Sequence, residues 1–244
     1  MILRSLAQAL RRQDWFAIAI EFLIVVAGIF VALQVTDWNE QRQLRARELN
    51  YLQRMAEDVA RMESAFDQIL ARGGGRSAVA LRAFRALEHC DRSLARPEDF
   101  RIVLAGYQNQ PTPMLITRTY AEMVSSGALA SMADRELSGA IASLFGALAD
   151  YKTFVQGVRV SLPVVDRVLW SHVDFSYDDE GRPTLRQFDF ASACRNRELR
   201  NAVWEVRDLL QDWETTTVQT VGQLRQFAEQ LDRHLAAQVG DGAH

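Results

Sequence analysis

The chain has 244 residues, 48% of them hydrophobic, with 28 basic against 31 acidic side chains and a net charge of −3. That apolar fraction supports a packed core, and the charge excludes a nucleic-acid binder that works through bulk positive potential. Five prolines and no low-complexity tract leave little chain for a disordered arm. Lys152 is the single lysine; codon usage in a GC-rich bacterial genome explains this, and arginine chosen for carboxylate or phosphate recognition is the alternative.

Residues 1–14 form a short tail with Arg4, Arg11 and Arg12. Trp15 to Val35 then carries one charge in 21 residues. At about 1.5 Å per residue this covers roughly 30 Å, the hydrocarbon thickness of a bilayer. A transmembrane helix is predicted over 15–36. It is read as uncleaved, because the apolar run is too long for a signal peptide and no small-residue cleavage site follows Val35. Glu21 lies inside it. Either its carboxylate reaches back toward Arg11 and Arg12 at the interface, or it joins Gly28, seven residues on and on the same face, in a helix–helix contact. Arginine counts on the two flanks show no bias; the short N-terminal tail decides for a cytoplasmic N-terminus. The expected location is a bacterial inner membrane with the bulk of the chain periplasmic. The expected partners are the lipid bilayer and either a protein or a second copy of the chain, with no nucleic acid.

Residues 37–239 read as an all-α domain, an elongated antiparallel helical bundle with heptad-like seams, continuous with the membrane helix; 240–244 form a tail. Leu52, Met55, Val59, Met62, Phe66 and Ile69 recur at heptad spacing up to Gly73-Gly74-Gly75, which ends the helix. Shorter helices follow at Arg76–Cys90, from Pro97 to Gly106, and in the segment ending at Gly127. A second seam runs from Leu137 through Ile141, Leu144 and Leu148 to Leu169, with Pro163 expected to kink or split its helix. A third runs from Leu199 through Val203, Val206, Leu210, Trp213 and Thr217. After a one-residue shift it continues through Val221, Leu224, Ala228 and Leu231. Between them, 176–190 breaks helical periodicity around Asp178-Asp179-Glu180-Gly181, the pattern of a short hairpin.

Cys90 and Cys194 are the two cysteines. In an exported domain they are candidates for one disulfide; two unpaired buried thiols are the other reading. His89, His172, His234 and His244 lack metal-ligand spacing, and no nucleophile elbow, Walker or dinucleotide loop is present. No cofactor and no catalytic residue is therefore expected. A ligand pocket, if the domain has one, is expected among Tyr107, Arg118, Tyr120 and Trp170.

"IEFLIVVAGIFVALQVTDWNEQRQ" resembles the N-terminal signature of a family of bacterial single-pass membrane proteins of unknown activity. Its pattern, a membrane glutamate, V-x-G-I, A-L-Q and W-N-E, falls here on Glu21, Gly28, Gln34, Trp38, Asn39 and Glu40. "TYAEMVSSGALASMADRELSGAI" and "CRNRELRNAVWEV" are similar to its central and C-terminal segments, with Leu199 where phenylalanine is usual. The resemblance implies the topology and no activity. The expected function is non-enzymatic, binding or scaffolding by the helical domain. The alternative is a ligand-sensing domain that signals through a partner membrane protein.

Overall fold

The computed structural model describes residues 15–107, 111–181 and 183–241. The chain is all-α. In chain order the helices are α1 (Trp15–Gly73), α2 (Arg76–His89), α3 (Pro97–Arg101) with a π-helical turn at Ile102–Gly106, α4 (Arg118–Ser125), α5 (Ala128–Ser131), α6 (Arg135–Trp170), α7 (Phe190–Ala193) and α8 (Arg197–Asp241). The expected hairpin is present: β1 (Asp174–Tyr177) pairs antiparallel with β2 (Pro183–Gln187). The Gly181 N–H donates to the Asp178 carbonyl at 2.9 Å, with Gly181 at φ 73°, where glycine carries no Cβ penalty.

Two compact units are distinguished, Met1–Tyr51 and Leu52–His244, and α1 enters both. In the first, the large apolar side chains stand open: Phe22 is 70% exposed and Phe30 63%. Residues 36–47 are exposed throughout. This is one helix long and apolar enough, by length and composition, to cross a membrane. Arg11, Arg12 and the rest of the 1–14 tail lie outside the described residues, as do 242–244, and of Glu21 only the backbone is described.

In the second unit the seams read from the sequence are the core. Every one of Leu52, Met55, Val59, Met62 and Phe66 is fully buried, and Ile69 nearly so. α8 runs antiparallel to α6. His234 meets Asp134 at one end at 3.2 Å, Tyr151 meets Thr217 midway, and Leu169 shares a cluster with Leu199 at the other end. α8 is also antiparallel to this part of α1, since Arg225 pairs with Glu63 and Asp67 while Gly73 lies against Trp213. At the glycines, α2 takes over from α1 along the same flank of α8. Ser77 donates to the Glu214 carboxylate, and further along α2's flank the chain reaches Cys90, bonded to Cys194. Gly73 is required by close approach: a Cβ there would lie 2.8 Å from the Trp213 ring. Gly75 is required by its φ of 79°.

Two details depart from expectation. Of the kink or split expected at Pro163, the split does not occur: α6 is one helix from Arg135 to Trp170. A proline removes one backbone hydrogen bond, whereas buried Val155 on one side and Val165 and Leu169 on the other hold both halves to the core. In the last seam Phe227 is buried and Ala228 only half so. After Val221 and Leu224 the three-residue step brings the larger side chain inward, where it removes more apolar area from water.

Candidate functional site

Residues 111–117 read PTPMLIT, and two prolines in three positions keep this stretch out of a helix. It leads into α4, and the two together face α6 from Phe145 to Gln156 across an open groove of about 1110 Å³. The structure builds this wall with two kinds of tether. On its polar side, the buried Asp58 of α1 accepts hydrogen bonds from the Thr119 hydroxyl and from Arg61, each at 2.6 Å. Arg54 reaches Glu122 at 2.9 Å, and Arg118 reaches the same carboxylate at 3.3 Å. The Arg54 guanidinium, then Arg118, hold the Glu122 carboxyl below its usual range. On its apolar side, the Tyr120 ring stacks on Phe145 of α6 with centroids 4.2 Å apart and planes nearly parallel.

Leu148, Tyr151 and Val155 form the floor, all buried. The Thr217 hydroxyl donates to the Trp213 carbonyl at 2.6 Å, so Tyr151 O–H donates to Thr217, 3.3 Å away. Burial pushes the Tyr151 phenol up. Lys152 stands exposed at the rim with Gln156 one turn further along α6. Among the described lining residues there is no carboxylate, histidine or cysteine. These residues can hold an apolar body and one negative charge.

Of the four residues expected to form a pocket, one, Tyr120, lines this groove. Tyr107 is buried and donates its hydroxyl to Asp166, whose carboxyl burial pushes above the ordinary range. Arg118 points to Glu122, and Trp170 ends α6 half exposed. Tyr107 follows the π-helical turn at Ile102–Gly106 and packs into the core cluster beside Val165 and Leu169 of α6. The groove's own signal in the sequence was Phe145, Ala149 and Lys152, a column beside the α6 seam at spacings of four and three. Its alanine leaves the space that a larger residue would fill.

Of the other candidates, Gln34, Trp38, Asn39 and Glu40 stand exposed on α1, with the Arg42 guanidinium 5.9 Å from the Trp38 ring. A Cβ placed on Gly28 meets nothing within 4 Å. Cys90 and Cys194 form a disulfide, their Cα atoms 5.2 Å apart, at the edge of the cluster that holds Ala86, Leu87, Leu199 and Val203. No family model, curated protein or solved structure matches the chain.

Proposed function

We propose that this chain is a non-enzymatic, single-pass membrane protein whose helical domain binds through the groove between α4 and α6. The observation that carries the reading is the groove itself. It is a preformed, mainly apolar cleft of binding-site size with a few polar groups at its edge. The exposed apolar length of α1 supports an anchor, since such a surface has no place in water. The Cys90–Cys194 bond supports an oxidising compartment, hence a cytoplasmic N-terminus and a periplasmic domain on a bacterial inner membrane. The family resemblance supports the same topology. A binding partner in this setting is a protein, a second copy or a lipid-derived ligand. The groove also favours the second reading, a sensor that passes occupancy to a partner membrane protein, because pure scaffolding needs no cleft.

A photo-crosslinking side chain at Ala121, inside the groove, should give a discrete adduct in native membranes. The same group at Glu229, on an exposed face of α8, should not. Equal labelling from both positions, or none from either, would sink the binding reading. Release of the intact chain by alkaline carbonate would sink the anchor.

A further inference from the structure

We propose that the groove takes a single-chain anionic amphiphile of the long-chain fatty acid class. The tail lies along Ala121, Val124 and Ala149, over the buried Leu148 and Val155, and the carboxylate rests on Lys152 and Gln156. This deepens the binding reading above and rests on it. Charge complementarity is the first argument. Lys152 is the only formally charged residue among the described residues that line the groove. Gln156 lies four residues on, one turn along the same helix face. An ammonium and a carboxamide side by side present donors to the two oxygens of one carboxylate. No carboxylate among the described lining residues opposes an anion.

Size and wall chemistry are the second argument. A group as large as a water molecule takes roughly 30 Å³ in a liquid. Sixteen to eighteen such carbons therefore take about half of the 1110 Å³, leaving the head and its water the rest. An extended peptide would bring an N–H and a C=O with every residue, each needing a partner once it leaves water. An alkyl tail brings none. Val124, 52% exposed on α4, carries the apolar wall out to solvent, where a tail would enter.

Because Lys152 is the only lysine in the sequence, its acetylation reports on the groove without interference from other side-chain amines. The full chain in phosphatidylcholine nanodiscs is treated with an amine-acetylating reagent, with and without oleate, and the Lys152 peptide is followed by mass spectrometry. Oleate should slow its acetylation about fivefold or more, and oleyl alcohol by less than about twofold. Ala149→Trp, at an exposed lining position, should fill the groove and remove the protection. Binding of a fluorescent polyene fatty acid should weaken about tenfold in Lys152→Gln and stay within about threefold in Lys152→Arg. Unchanged acetylation with oleate, equal protection by the alcohol, or protection that survives Ala149→Trp overturns the proposal. If oleate fails while Ala121 still gives its specific adduct, the groove binds something else and only the fatty-acid assignment falls. If both fail, the binding reading falls with it.

Discussion

Asp99 shows what one buried charge does for the end of the bundle that carries the disulfide. Its carboxylate is almost wholly covered and accepts from Arg82 Nε at 3.1 Å, Arg82 Nη2 at 2.9 Å and the Arg96 N–H at 3.1 Å. The Arg82 hydrogen bonds hold its carboxyl below the ordinary range, against burial, which pushes it up. The unfolded chain therefore takes up this proton at higher pH than the folded one. The folded state's advantage is complete above the ordinary aspartate value near 4, and it drains away as pH falls through the lower folded value. Asp99→Asn should cost about 1–2 kcal/mol at pH 7, the modest figure reflecting the half-exposed Arg82. Thermal midpoints of the variant and the wild type should converge as pH drops below about 4; a constant gap down to pH 3 would show that the carboxylate's charge is not what stabilises. Pairs of this kind were not legible in the sequence. Arg82 and Asp99 stand 17 residues apart, and Thr119 and Asp58 61 apart, and no periodicity links polar groups across such separations.

Elements were far more legible, because burial of a helix face has a period and the period is written in the residues. The α1 seam from Leu52 to Ile69 is buried at every position read from the sequence. The glycine stop, the hairpin and the three long helices follow similarly local rules. The groove escaped for the opposite reason. It forms where a seam is left uncovered, and an irregular segment such as 111–117 has no period to read. Two substitutions test the seam physics. Phe66 is fully buried with its ring edge-to-face on Tyr151, centroids 5.1 Å apart. Phe66→Ala should cost about 3–5 kcal/mol through the lost transfer and the cavity. Gly73→Ala should cost about 1–3 kcal/mol from overpacking against Trp213, even though alanine is the better helix former. Both would be read as lowered thermal midpoints in detergent. A neutral or stabilising Gly73→Ala would mean that Trp213 gives way easily.

At the scale of the molecule, the domain has its own core and its own covalent tie, so a chain that starts at Glu48 should fold without the apolar length of α1. It should unfold in one cooperative helical transition; a molten or aggregated product would show that the apolar length of α1 contributes to folding. The tie itself carries the most specific expectation. Cys90 and Cys194 close a loop with a sequence separation of 104, which in the chain-entropy view stabilises by up to about 4–5 kcal/mol. Cys90 also sits at φ 49°, the one non-glycine position with positive φ among the described residues, just past the C-terminus of α2. Helices commonly end there in glycine, since a Cβ in the left-handed region costs on the order of 1 kcal/mol. The bond thus holds a residue in a conformation that residue disfavours. Cys90→Ser loses the crosslink and keeps the backbone penalty, whereas Cys90→Gly loses the crosslink and sheds it. Both variants should melt below the oxidised wild type, with Cys90→Gly the more stable of the two by about 1 kcal/mol. Reduced wild type should fall beside Cys90→Ser. If serine and glycine are equal, the left-handed backbone at position 90 exists only when the disulfide imposes it, and α2 ends differently once the sulfurs part.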